Sequence, residues 1–387
     1  MKTDRIDTVV IGGGQAGLAV AYYLFQQKRD FVILDAHGRA GDSWRTRWDS
    51  LRLFTPTGFN NLPGTPFPKS ADADRFPTKD EMADYLESYV ARFQLPMLFN
   101  TKVDELALDG DTYLITASTF KLKANHVIVA TGAHPTPYIP AFSRRLDPAI
   151  NQLHSVAYRN PSQLHDGAVL VVGAGNSGVE IALDLAPKHL VWLAGRNTGF
   201  VPANYGNFSY EFGVTLFKAL MQHLTVDTLP GRWIVQRASE FMGGHPVVGV
   251  TPEDLHRVGI QRVPRIIDVS NGRPALENGQ VLDVANVIWA TGFVRDYRWI
   301  KLPIFDSTGD PIHHRGVVAG ESGLYFVGLP YQSSLLSGLV AGAGLDAKYV
   351  AKQISLRARK TYPVPGGKTS KLNRRTSSTS STSGVWK

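Results

Sequence analysis

Apolar positions along this chain gather in short runs with few charges, and most of these runs end on glycine or on an acid. TVVI, FVIL, HVIV, VLVV, LVWLA and NVIW are the clearest of them. Their length and lack of alternation predict strands buried on both faces of a parallel sheet. After TVVI comes GGGQAGLAVAYYLFQQ, where a glycine turn leads into apolar residues at helical spacing. The same order of strand, turn, helix and strand returns in AVLVVGAGNSGVEIALDLAPKHLVWLAGR. The expected fold is therefore α/β with two Rossmann-like dinucleotide-binding domains.

The two turns carry the first chemistry. In the first, Gly12, Gly14 and Gly17 take the glycine places of G-x-G-x-x-G, with Gln15 and Ala16 between them. The first glycine makes a sharp turn, the second lets the backbone approach a pyrophosphate, and the third lets the helix pack closely. Free N–H groups and the positive dipole end of the helix then face the phosphates. Asp35, 23 residues after Gly12 and just before Ala36, can accept hydrogen bonds from a ribose hydroxyl pair. The second turn has Gly173, Gly175 and Gly178, with Asn176 and Ser177 between the last two.

Its second strand ends differently: Ala194 closes the apolar run and Arg196 follows two residues later. A guanidinium cannot serve a neutral diol as a carboxylate does, but it meets a ribose 2'-phosphate with two charge-assisted bonds. The first turn thus reads as an FAD site and the second as an NADPH site. If Arg196 does not take that phosphate, another basic residue such as Lys188 or Arg262 would.

A second internal repeat pairs with the first. HVIVATG closes on Ala130, Thr131 and Gly132, and NVIWATG on Ala290, Thr291 and Gly292. Small residues there let the chain turn beside a cofactor at the carboxyl edge of the sheet. The alternation of dinucleotide turn and Ala-Thr-Gly suggests one cofactor domain inserted into another. The FAD domain would span residues 1–140 and 293–356, and the NADPH domain residues 141–292. An aromatic-rich segment, about 200–265, interrupts the second domain and could be core or substrate wall, while residues 363–387 read as a disordered basic Ser/Thr-rich tail.

Composition narrows the chemistry. The chain has 387 residues and no cysteine, which removes dithiol reduction, thiolate nucleophiles, cysteine-ligated zinc and iron–sulfur clusters; no metal site is expected. The net charge of +8 owes much to the tail, so a solvated tail, and not nucleic-acid binding, is the reading. The uncharged stretch Ser322–Leu345 holds a proline and many glycines and serines, which argues against a membrane span. The opening MKTDRIDTVVIGGG runs directly into a strand, so a cytoplasmic location is expected.

With GGGQAG, GDSWRTRWDSLRLFTPTGFNNLPGTPFP, LHSVAYRNP, GAGNSG, both ATG turns and GLYFVGLPYQSSLLSGLVAGAGLDA, the chain resembles flavin-containing monooxygenases over about residues 6–356. The likeness is strongest to the branch of plant YUCCA-type enzymes and their bacterial relatives. It implies FAD and NADPH meeting between two domains, O2 and a small organic molecule as substrates, and insertion of one oxygen atom through a flavin hydroperoxide. By the same resemblance Asp42, Ser43, Trp44 and Arg45 lie along the FAD ribityl and pyrophosphate, and Val103 meets adenine through its backbone. The segment from Tyr331 through Gln332 and Leu335 to Leu336 would bring a helix start to the flavin ring. Trp44, Gln332, Leu335 and Leu336 also read as ordinary core.

Two places depart from the family pattern. LDPAINQLHSVAYRN keeps His154 and Tyr158 of the family fingerprint but has Pro148 and Ile150 where Phe and Gly belong. LRLFTPTGF has Pro56 where animal-type enzymes carry an asparagine, and a proline side chain donates no hydrogen bond. The cofactors carry the reaction, so no catalytic side chain is assigned. A reductase or oxidase without oxygenation and a flavin-binding redox sensor remain alternative readings, and the oligomeric state is not encoded in any motif.

Overall fold

The computed structural model describes residues 4–68, 76–132, 136–201, 208–241 and 246–361; the 363–387 tail and residues 202–207 of the aromatic segment lie outside them. The first repeat folds as β1 (Asp4–Ile11), α1 (Gln15–Gln26) and β2 (Phe31–Leu34). A single turn, α2 (Asp42–Arg45), precedes α3 (Lys79–Phe93), which starts on a reciprocal capping box between Thr78 and Glu81. β3 (Met97–Leu98), β4 (Val103–Asp109), β5 (Thr112–Ala117) and β6 (Lys121–Val129) follow.

After a short β7 (Thr136–Pro137), the second repeat folds as β8 (Asn151–His154), β9 (Val169–Val172), α4 (Asn176–Leu185) and β10 (Val191–Ala194). A largely helical insert comes next: β11 (Phe200–Val201), α5 (Phe208–His223), α6 (Leu229–Phe241), β12 (Val247–Val248) and α7 (Pro252–Arg257). The chain continues through β13 (Gln261–Val263), the hairpin β14 (Ile266–Ser270) and β15 (Arg273–Leu276), β16 (Asn286–Trp289) and β17 (Phe293–Val294). It closes with β18 (His313–His314), β19 (Val317–Val318), β20 (Leu324–Phe326) and the long α8 (Val340–Thr361).

Two sheets organise these elements. The first runs β18-β19-β20-β6-β1-β2-β3, and the second β13-β10-β9-β16-β8. β6 serves two partners on one edge: Lys121–Ala124 pair antiparallel with β5, and Val127–Val129 pair parallel with β20. The chain leaves the first sheet after β6, builds the second, and returns to the first with β18–β20. The two crossings run side by side, because β7 and β17 pair antiparallel. β13 is a strand of the second sheet, so the inserted stretch closes before Gln261, earlier than the 265 read from the sequence.

Burial on both faces explains the unbroken apolar runs. Val9 and Ile11 of β1 enter a cluster with Tyr297, Ile300 and Leu302, while Val10 packs with Leu18 and Leu24 of α1 and Val350 and Ile354 of α8. Burying each such aliphatic side chain contributes roughly 1.5–3 kcal/mol. Because β1, β2, β6 and β20 are parallel, their carboxyl ends open at one edge. That edge gathers Gly12, Asp35, Ala130 and the chain after Phe326.

Candidate functional site

At the first turn the glycines do three different jobs. Gly12 has φ of 107°, and a Cβ there would lie 2.5 Å from the Ala130 carbonyl oxygen. A Cβ on Gly17 would overlap the Gly12 carbonyl. Gly14 is the opposite case, since a Cβ there would meet no protein atom within 4 Å. Its backbone borders open space, the room a pyrophosphate needs. No side chain caps α1, and its first turn holds no acid, so its leading N–H groups are left for such a ligand.

The second turn repeats this interlock residue by residue. Gly173 has φ of 112° and leaves no space for a Cβ against the Ala290 carbonyl, Gly178 is closed by the Gly173 carbonyl, and Gly175 faces open space. α4 likewise lacks a capping side chain and an acid in its first turn. Each Ala-Thr-Gly strand is the back wall of its own turn: the Ala130 N–H donates to Ile11 at 2.8 Å, and the Ala290 N–H to Val172 at 2.7 Å. The paired repeats in the sequence thus have one steric cause. Both cradles fit the pyrophosphate of a dinucleotide.

The strand ends differ as their residues do. Asp35 is buried, and its Oδ2 accepts the Gly13 N–H at 2.5 Å while Oδ1 accepts the His37 N–H at 2.8 Å. Burial alone would raise the Asp35 pKa, but the hydrogen bonds from His37 and Gly13 outweigh it and hold the carboxyl below its usual range. A fixed, ionised acceptor therefore stands beside the first cradle. Arg196 is exposed, with no hydrogen bond or ion pair to another described residue. An unpaired cation fits a phosphate at the second cradle.

Other expected contact residues fall around the first cradle. The Asp35 carbonyl accepts the Thr101 N–H at 2.8 Å, which brings the approach to Val103 alongside the acid. Asp42, Ser43 and Trp44 form α2, half-buried, entered through Gly41 with φ of 85°. The Arg45 guanidinium turns to α3, where it pairs with Asp84 at 2.9 Å and Glu87 at 2.5 Å. Gly328 packs on Ala16, so the chain after β20 runs past the start of α1.

That last segment differs from its expected form. Tyr331–Leu336 holds no helix start; α8 begins at Val340. Tyr331 sits at φ of 58° and Gly338 at 89°, and the Ser337 hydroxyl accepts the N–H groups of Ser333 and Ser334, which closes tight turns in place of helix. Gln332 is buried and braces the loop from behind, donating to the Phe326 carbonyl at 3.0 Å and accepting the Leu329 N–H. Leu336 packs with Phe59 and Met221, and Leu335 lies against the same cluster.

Beneath the loop lies a residue the sequence did not single out. Asp346 of α8 is buried, accepts a hydrogen bond from the Ser333 hydroxyl and leaves its second oxygen without a partner. Burial pushes its carboxyl up to about 6, against the smaller opposing pull of the Ser333 and Ser337 bonds and Arg315. Asp346 falls at the end of the GLYFVGLPYQSSLLSGLVAGAGLDA stretch, but nothing in that run of small and apolar residues marks its acid as buried beneath the loop.

The two departures also gain physical readings. His154 ends β8; its Nδ1 accepts the Val156 N–H at 3.2 Å, so Nε2 carries the proton and donates to the Gly292 carbonyl at 3.0 Å. It thereby ties the second sheet to the returning crossing, while Tyr158 donates to Asp184 at 2.6 Å. Pro56 starts a short turn whose carbonyl accepts the Asn60 amide at 3.1 Å. The other Asn60 bonds go to Thr55, so this buried amide braces its own loop.

The geometry defines a class: an α/β protein with two separate dinucleotide cradles, each at the end of parallel strands in its own sheet. Residues 9–208 match the family model for pyridine nucleotide-disulphide oxidoreductases. The chain is 40% identical over 352 residues to an uncharacterised CzcO-like oxidoreductase of Geobacillus kaustophilus, covering 90% of this chain and 98% of that protein. It is 30% identical to a probable indole-3-pyruvate monooxygenase, YUCCA3 of Arabidopsis thaliana, covering 90% of this chain and 86% of the relative. A flavin-containing monooxygenase from Stenotrophomonas maltophilia superposes with a TM-score of 0.74 at 26% identity, over 92% of this chain and 100% of that one. The chain belongs to the flavin-containing monooxygenase family. Having no cysteine, it shares the fold of the disulphide oxidoreductases without their dithiol.

Proposed function

We propose that this protein is an NADPH-dependent flavin monooxygenase, with FAD in the first cradle and NADPH in the second. The contrast between the strand ends carries the reading: a buried carboxylate beside the first cradle, an unpaired guanidinium beside the second. When bound, the two cofactors supply hydride transfer and activation of O2, from which one oxygen atom passes to a small organic substrate.

The chain's own residues bind, orient and exclude water. N–H groups from Gly14 to Gly17 take the FAD pyrophosphate, Asp35 takes the ribose, and the Val103 backbone takes adenine. Asp42, Ser43 and Trp44 line the ribityl chain. Thr131, Gly132, Thr291 and Gly292 give the cofactors close backbone walls. Gly175, Asn176, Ser177 and Gly178 take the NADPH pyrophosphate, and Arg196 its 2'-phosphate. Leu335, Leu336 and Phe59 form an apolar screen at the loop after β20.

Asn60 favours a second reading as a reductase or oxidase. Its amide protons are held by the Thr55 and Pro56 carbonyls, so it offers no free donor to an oxygen species. Oxygen accounting separates the two.

Purified protein is expected to be yellow and to release FAD, and its flavin is expected to bleach with NADPH under anaerobic conditions. Arg196→Ala is expected to lower the NADPH-to-NADH ratio of kcat/KM about tenfold or more. Extraction of FMN alone, or an unchanged ratio, contradicts the assignment of the cradles.

A further inference from the structure

A second arginine stands beside Arg196, brought there by pairing between distant strands. β13 lies parallel to β10 with Leu193 opposite Arg262 and Ala194 opposite Val263. One Arg262 Nη donates to the Gly195 carbonyl at 3.0 Å. Gly195 is itself pinned: it has φ of 144°, and a Cβ there would lie 2.7 Å from the Ala174 nitrogen inside the second glycine turn. The chain therefore passes directly over the cradle before Arg196, and Arg262 clasps it at that point. Lys188, by contrast, lies before the start of β10, at the other end of the strand.

Neither arginine is neutralised. Arg262 makes one backbone hydrogen bond and no ion pair with a described carboxylate, and Arg196 makes neither. A guanidinium has five N–H donors, so most of the donors of Arg262 remain unspent. Burial also lowers the Arg262 pKa, as expected for a charge partly withdrawn from water without a counter-ion. An arginine with unspent donors that clasps the carbonyl just before a second, unpaired arginine, with no described acid pairing either, offers a receptor for a doubly charged anion.

We propose that Arg262 and Arg196 together bind the 2'-phosphate of the adenosine ribose, so that coenzyme choice depends on a residue delivered by the strand after the helical insert. The inference rests on the reading of the second cradle as an NADPH site. The ligand chemistry is a phosphomonoester on an adenosine ribose, as distinct from free phosphate.

The test is calorimetric binding of adenosine 2',5'-bisphosphate, adenosine 5'-monophosphate and inorganic phosphate to the FAD-loaded protein. Wild type, Arg196→Gln, Arg262→Gln and Arg262→Lys are compared, with flavin absorbance confirming each fold. The bisphosphate is expected to bind wild type at least about tenfold tighter than the monophosphate, and each Gln variant is expected to lose about tenfold for the bisphosphate alone. Arg262→Lys is expected to recover part of that loss, and free phosphate to bind weakly throughout. If Arg262→Gln leaves bisphosphate affinity unchanged while Arg196→Gln reduces it, the inference fails and the NADPH reading stands. Equal loss for both nucleotides in Arg262→Gln makes the residue merely structural and also overturns the inference. Absence of any bisphosphate preference in wild type removes the NADPH reading itself. Should Arg262→Gln not fold, Arg262→Met takes its place: loss of about tenfold for the bisphosphate alone supports the inference, and unchanged bisphosphate affinity overturns it.

Discussion

Glycines in one motif differ in what they protect, and this yields paired expectations. Gly14 is the N-cap of α1 with φ of –74° and an open Cβ direction, so Gly14→Ala is expected to change apoprotein stability by less than about 1 kcal/mol, the poorer cap offsetting the stiffer chain. The new methyl fills the space of the pyrophosphate, and FAD affinity is expected to drop at least about tenfold. Gly17→Ala drives a methyl into the Gly12 carbonyl and is expected to cost at least about 2–3 kcal/mol of stability before any ligand is considered. Urea titration and FAD binding on both variants check the pair; equal behaviour contradicts it.

Asp346 gives a pH dependence with a defined sign. Its folded pKa of about 6 lies above the ordinary carboxyl value of 3.8, so its contribution is fully present below that ordinary value and lost as pH rises through about 6. A shift of this size corresponds to roughly 3 kcal/mol. Asp346→Asn keeps the volume without the charge, and is expected to match wild type near pH 4 and exceed its stability by up to about 3 kcal/mol near pH 8. A difference in urea midpoint that does not change with pH would count against a buried, titrating Asp346.

Among the elements, the parts readable in the sequence were those with a steric cause written in consecutive residues. Gly12, Gly17 and Ala130 are such a set, and their counterparts Gly173, Gly178 and Ala290 repeat it. The crossing ribbon was not readable, because β7 and β17 are two residues each and pair across more than 150 positions. Nor were the insert helices. In α5, Phe212, Leu216, Phe217 and Leu220 are exposed, so apolar residues do not mark the buried face. The insert is held by a small apolar contact, Met221 against Phe59 and Leu336, and by polar contacts: Lys218 donates to the Gly58 carbonyl at 3.1 Å, and the Val226 N–H to Ser333 at 2.8 Å.

His154 is the side chain that joins a strand of the second sheet to the returning crossing. Burial lowers its pKa, and its Nδ1 must stay unprotonated to accept the Val156 N–H. Its stabilising effect is therefore present above its ordinary pKa of about 6.5 and lost as pH falls through the lower folded value. His154→Ala is expected to cost about 1–2 kcal/mol near pH 8, measured as a urea midpoint, while FAD content is retained. No change in midpoint would show that His154 does not stabilise the crossing.

For the whole molecule, the fold places two open cradles at the carboxyl edges of two sheets joined by a paired crossing. No described helix is long and apolar enough to cross a membrane. α8 ends at Thr361, and the Ser/Thr-rich sequence beyond it lacks the apolar residues needed to join a core. Deleting residues 363–387 is therefore expected to leave FAD content and NADPH oxidation intact, and loss of flavin would show that the tail docks.

The central claim is that electrons from NADPH end in an oxygenated product. Turnover of the FAD-loaded protein with NADPH under isotopically labelled dioxygen, across a panel of amines, sulfides and ketones, tests it most directly by mass spectrometry of the products. The expected result is one labelled oxygen atom in a product from at least one substrate, with hydrogen peroxide release falling as that product forms. Steady NADPH oxidation in which all reduced oxygen appears as peroxide or water, and no product carries label, would contradict the monooxygenase account and leave the reductase in its place.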